Sequence, residues 1–238
     1  MTHLRSSALA ALLAAGLLVS GCGGGDDSDK GAAGPTPAEV MDEAKQKFDD
    51  ASSVHIELAT ESTPSEGNGV LGANGDLTHD PAFEGEVKII LNGLTATAPI
   101  IAVDDKVYAQ IALLGPGYRV IKPSEYGAPD PADFADPDEG LSSLLTQLDG
   151  LEKGKESRSG DQILTTYTGE LPGEAVKRII PSADAKQTYE TVIGVDEDGY
   201  ARTVEITGTF FSGSDDVTYD VELSAYDEDV EITAPSTS

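Results

Sequence analysis

From Val54 onward the apolar residues recur at every second position, Val54, Ile56 and Leu58 alternating with His55, Glu57 and Ala59. This is the pattern of a strand with one buried face. Comparable stretches occur at 69–78, 83–91, 94–103, 106–112, 161–169, 187–195, 200–211 and 216–226. Turn pairs such as Asn92-Gly93, Asp104-Asp105 and Asp198-Gly199 separate several of them, so the strands are predicted to form antiparallel hairpins. Helical signals are few. Thr36-Pro37-Ala38-Glu39 combines an N-cap, a proline at the first helical position and the acid of a capping box. The helix it opens should run to about Asp50, with Val40, Met41, Ala44 and Phe48 on one face. Shorter helices are predicted at 138–149 and 172–180, and the Pro/Asp-rich stretch 123–138 reads as a loop. Few helices and many consecutive strands make the fold class α+β, with one large antiparallel sheet.

A two-residue hairpin loop sets strand register and therefore which side chains share a face. With Asn92-Gly93 as the loop, Leu91 faces Leu94, Ile89 faces Ala96, Val87 faces Ala98 and Gly85 faces Ile100. With Asp104-Asp105 as the next loop, Ala102 faces Val107, Ile100 faces Ala109 and Ala98 faces Ile111. Both hairpins agree on one continuous apolar face. The other face carries Glu84, Glu86, Lys88, Thr95, Thr97, Tyr108 and Gln110 and reads as the solvent side, although Ile90 and Ile101 break the pattern. Small alanines interleaved with branched residues leave room for a groove. The pattern alone allows two outcomes: helices fill the groove, or a ligand cavity stays open.

Ahead of the domain, Arg5 is followed by an apolar run from Ala8 to Val19 and then by Val19-Ser20-Gly21-Cys22. About a dozen apolar residues are too few for the roughly 20 that span a bilayer, so residues 1–21 read as a signal peptide ending in a lipobox. Cys22 is the single cysteine. No intramolecular disulfide can form, and the resemblance to bacterial lipoprotein signals implies that Cys22 carries a diacylglycerol, which anchors the chain to the outer side of the cytoplasmic membrane. Residues 22–35 lack large apolar side chains and are expected to form a disordered tether.

Beyond the signal the chain keeps 14 basic and all 43 acidic residues, a formal charge of 14 minus 43, or −29. Nucleic acid would repel such a surface. Catalytic signatures are equally lacking. With His3 in the signal, His55 and His79 remain, both expected on solvent-facing strand or turn positions, so no zinc site of His and Cys ligands can be assembled. Asp196-Glu197-Asp198-Gly199 is better explained as a hairpin turn than as a calcium loop. No nucleophile elbow or phosphate-binding loop is present, and neither enzyme chemistry nor a cofactor is expected.

Several segments, taken in order, are similar to the actinobacterial lipoprotein family that includes LppX, LprA, LprF and LprG. They are Asn74-Gly75-Asp76-Leu77-Thr78-His79-Asp80-Pro81, Asp104-Asp105-Lys106-Val107-Tyr108-Ala109, the run from Asp136 to Leu145, and the stretches beginning at Tyr167 and at Ile179. The match covers about 40–220 and implies a domain over 36–235. It also implies a half-barrel, a single strongly curved antiparallel sheet wrapped over helices, akin to carriers of the LolA/LolB type. A hydrophobic cavity would lie between the layers, bounded by the apolar face described above and by Leu141, Leu144, Leu145 and Val176. The implied ligand is an acylated lipid or glycolipid carried toward the outer envelope. The alternative is an envelope interaction module with a fully packed sheet, its partner another exported protein or a membrane transporter. If the anchor is read correctly, Cys22→Ser should move the protein from the membrane to the soluble fraction. Retention in washed membranes would refute the lipobox.

Overall fold

The computed structural model describes residues 34–60, 68–111, 115–211 and 215–237. The signal segment, Cys22 and the tether as far as residue 33 lie outside the described residues. The first helix, α1 (Pro37–Asp50), begins as expected. The Glu39 carboxylate accepts from the Thr36 backbone N–H at 2.8 Å, while the Glu39 N–H donates to the Thr36 hydroxyl at 3.3 Å. Its apolar stripe of Met41, Ala44 and Phe48 is buried, because residues three and four apart share a face.

Eleven strands form two meanders. The first comprises β1 (Ser53–Ala59), β2 (Gly69–Thr78), β3 (Ala82–Leu91), β4 (Leu94–Val103), β5 (Lys106–Ala109) and β6 (Arg119–Ile121). The second begins with β7 (Asp149–Ser159) and β8 (Gln162–Pro172), passes through α2 (Gly173–Ile179), and ends with β9 (Thr188–Asp196), β10 (Ala201–Gly208) and β11 (Val217–Ser224). Antiparallel pairing of β1 with β11 joins them into one open 11-stranded sheet in the order β6-β5-β4-β3-β2-β1-β11-β10-β9-β8-β7. The hairpin registers are those derived from the turns: Val87 pairs with Ala98, Ile89 with Ala96, and Ile100 with Ala109. Asn92 and Gly93 both take positive φ, at 51° and 76°, as a two-residue loop that follows the sheet's twist demands.

Three expectations are corrected. The segment 138–149 is not an α-helix but a six-residue 3-10 turn, Leu141–Thr146. There the Ser143 hydroxyl donates to the Gly140 carbonyl at 2.7 Å, a local bond that competes with helix propagation. Next, β7 was not foreseen; it is an exposed edge strand, and with no buried side it carries no alternation to detect. Last, Tyr108 is buried, together with Ile101. The chain after β11 is tied to β1 by the Ser53 hydroxyl donating to the Glu228 carbonyl at 2.8 Å, and to Tyr118, just before β6, by a bridge at Thr237. Five strand spacings separate β1 from β6, roughly 24 Å, which residues 229–236 can span only when nearly extended. Ile101 and Tyr108 face the Ser53 hydroxyl's side of the sheet on that span.

The sheet must bend sharply. Phe83 on β3 and Leu171 on β8 are six strand positions apart, about 29 Å on a flat sheet, yet both line one small pocket. Part of the bend is set where Gly75 and Gly85 pair across β2 and β3. A Cβ on Gly75 would lie 2.7 Å from the Gly85 Cα and 2.8 Å from the Phe83 ring, so the backbones approach with the ring laid over them. Gly75→Ala is therefore expected to cost about 1–3 kcal/mol by overpacking, measured as a lowered urea midpoint. A loss below about 0.5 kcal/mol would contradict this packing.

Candidate functional site

The order of the strands decides where the site lies. Because β6 and β7 are the two edges of the sheet, the connection 122–148 has to travel from one edge to the other. It does so beneath the inner face, as 3-10 turns at Pro123–Tyr126, Pro131–Ala135 and Leu141–Thr146. The last turn is clamped to α1: the Lys45 ammonium meets Asp49 at 2.5 Å and donates to the Pro137 carbonyl at 2.6 Å, and the Ser142 hydroxyl donates to Asp49 at 2.5 Å.

Between this connection and the sheet lies an apolar pocket in two neighbouring lobes. The larger, open lobe has a volume of about 410 Å³ and the smaller about 60 Å³. They share Leu58, Ala73, Phe83, Phe134, Ile179 and Ile180. For comparison, an apolar cavity of about 150 Å³ stays dry and takes up small hydrocarbons. Around the larger lobe only Asn92, Thr97 and Tyr126 carry polar side-chain atoms.

Ten of the residues picked out on the apolar face line the larger lobe. Val87, Ile89 and Leu91 come from β3, and Leu94, Ala96, Ala98 and Ile100 from β4. Val107 and Ala109 come from β5, with Ile111 just beyond it. Leu141, Leu144 and Leu145 line the smaller lobe instead. Ala102 and Val176 are on neither wall and are fully buried in the core. The alternating pattern failed to reveal the opposite wall: Pro123, Tyr126, Ala128, Pro129, Pro131 and Phe134. Their one sequence signal is the clustering of prolines, which offer apolar rings and no N–H that would need a partner.

Among the described residues no carboxylate, imidazole, amine or thiol lines either lobe; the hydroxyls there are those of Ser142 and Thr191 on the smaller and Thr97 and Tyr126 on the larger, and the Ser142 hydroxyl is engaged with Asp49. In the roof, burial and then the nearby carboxylates of Asp130 and Asp136 push the Asp133 carboxyl above the usual range. Among the described residues no group of His, Cys, Asp and Glu side chains is placed to hold a metal. His55, on the outward face of β1, pairs across the strands with Asp76 at 2.6 Å. His79 departs from its expected solvent-facing place. Its ring lies edge-on to Phe48 at 5.3 Å, and neither ring nitrogen has a hydrogen-bond partner. Desolvation holds its pKa below the ordinary value, against the opposing pull of Asp49, the Ala51 backbone and Asp227. A base with a depressed folded pKa binds protons more readily when unfolded, so its stabilising contribution is present above about pH 6.5 and lost as pH falls below it. Between about pH 7.5 and about pH 5.5 the wild type should lose more of its urea midpoint than His79→Leu. Parallel losses would show that His79 titrates normally.

A family profile described as LppX_LprAFG lipoprotein matches residues 36–232. Among the similar proteins are several named lipoarabinomannan carrier protein LprG. That of Mycobacterium tuberculosis is 28% identical over 98% of this chain and 96% of its own length, and that of Mycobacterium leprae 27% over 97% and 94%. Two crystal structures share the fold. LprF of Mycobacterium bovis superposes with a TM-score of 0.69 at 14% identity, covering 84% of this chain and 97% of that one. LppX of Mycobacterium tuberculosis gives 0.62 at 17%, covering 84% and 100%. The profile spans nearly all of the described chain and the open eleven-stranded sheet agrees with both structures, so this chain belongs to the LppX_LprAFG lipoprotein family.

Proposed function

We propose that the protein is a lipid carrier that holds acyl chains of a lipid, glycolipid or lipoglycan in the two-lobed apolar pocket and carries them toward the outer cell envelope, tethered to the membrane through Cys22. The observation that carries this reading is the larger lobe itself, about 410 Å³ of open space walled almost entirely by hydrocarbon. A fully packed interaction module has no use for such a space, because dispersion contacts forfeited along an empty wall are a standing cost. The carrier name of the LprG relatives supports the same reading.

The energetics fit carriage without catalysis. Each CH₂ taken from water contributes about 0.8 kcal/mol, so a diacyl lipid with roughly thirty of them would cost on the order of 24 kcal/mol to expose. A pocket as apolar as the bilayer cancels most of that cost, and exchange between membrane and protein approaches balance. Such exchange needs a shaped hydrocarbon wall and no acid, base or cofactor.

The test is Ala98→Trp. Ala98 is half-buried on the wall of the larger lobe, opposite Val87 in register. An indole there would occupy space meant for an acyl chain. Delipidated wild type and variant should have similar melting temperatures, while the variant's uptake of a fluorescent fatty acid falls several-fold. A fully packed sheet would respond in the opposite sense, losing about 1–3 kcal/mol of stability by overpacking with uptake unchanged, and that result would overturn the carrier reading.

A further inference from the structure

Resting on the carrier reading, we propose that the tip of the β3–β4 hairpin is the edge by which the protein docks on a lipid bilayer, bringing the pocket mouth level with the acyl chains. Leu94 is 75% exposed, the most exposed large hydrophobic side chain among the described residues, and it also lines the larger lobe. A side chain that belongs both to the pocket wall and to solvent marks the mouth. Inward from it the wall stays apolar while exposure falls, from exposed Ala96 through half-buried Ala98 to buried Ile100.

Charge points to the same edge. The protein carries 43 acidic residues, yet Ile89 to Val103 is fifteen consecutive residues without an ionisable side chain. At 24% charged residues overall such a run would ordinarily hold about three or four. On the neighbouring strand β2, whose Gly69 and Val70 pair with Ile90 and Ile89, Asn68 to Gly75 is likewise uncharged. Carboxylates resist entry into hydrocarbon and are repelled by anionic headgroups, so this rim is where an acidic protein can meet a membrane. An interfacial depth of about 5–10 Å takes in the first two or three residues on each side of the turn. Lys88, the first charge back along β3, then stays at headgroup level. The edge is also firm: the loop has two residues, and the Asn92 N–H donates to the Asn68 side chain at 2.8 Å.

The chain contains no tryptophan, so single-tryptophan variants report locally. Thr95 is exposed, lies one residue from Leu94 and is absent from the pocket walls. Thr95→Trp should shift its emission to the blue when phosphatidylcholine vesicles are added, whereas Ile163→Trp, at an exposed site on β8, should not. Thr95→Glu should slow extraction of a fluorescent phospholipid from those vesicles on the order of tenfold. Its uptake of a monomeric fluorescent lysolipid, which needs no membrane contact, should match the wild type. If Thr95→Glu takes up both probes at wild-type rates, or Thr95→Trp ignores the vesicles, the docking edge is refuted while the carrier reading stands. A concentration-dependent blue shift without vesicles would assign the tip to a second copy of the chain and overturn membrane docking. Failure of the wild type to bind the monomeric lysolipid would overturn the carrier reading, and the docking role with it.

Discussion

The antiparallel pairing of β1 with β11 joins two meanders that are far apart in sequence, and much else in the molecule follows from it. With the first and last strands at the centre of the sheet, the strands on either side of the midpoint become its edges. The connection between those edges has no short route. It runs under the inner face, and the space it leaves against the sheet is the pocket. The pocket is thus a product of topology as much as of side-chain chemistry.

Side chains then decide how much of that space is filled. Near the β1–β11 seam large residues converge: Phe48 from α1, Phe83 from β3 and the leucines of the third 3-10 turn reduce the gap to about 60 Å³. Toward β4 and β5 the inner face carries Ala96, Ala98 and Ala109, and the opposing wall is made of three prolines, Ala128, Tyr126 and Phe134 on short turns rather than of a regular α-helix. Filling that lobe would take larger residues at those positions. A carrier is served by leaving it open, because a chain that enters can make the contacts the walls lack.

Acidity has a matching distribution. Outward-facing carboxylates such as Glu84 and Glu86 on β3 keep the middle of the sheet polar, whereas the end of the same hairpin carries no charge. One hairpin therefore presents a soluble back and a hydrocarbon-compatible tip.

Local rules made much of this legible in advance. The capping box of α1, the two-residue loops at Asn92-Gly93 and Asp104-Asp105, and the register that puts Val87 beside Ala98 all depend on neighbours within a few residues. What those rules could not reach needed contacts between distant segments. The exposed strand β7 has no buried face and leaves no alternating trace. Tyr108 reads as solvent-facing from its period, yet the fold buries it. Val176 carries the helical spacing of a wall residue, yet α2 turns it into the core. Pro123, Pro129 and Phe134 become a wall only because the edge strands stand on opposite sides of the sheet. The sequence by itself determined the strands, their hairpin registers and an apolar face, since each follows from side-chain period and turn geometry. Tertiary structure alone decided that this face would be left partly uncovered, because the volume between sheet and connection depends on how far the sheet bends and on which distant segment is drawn across it.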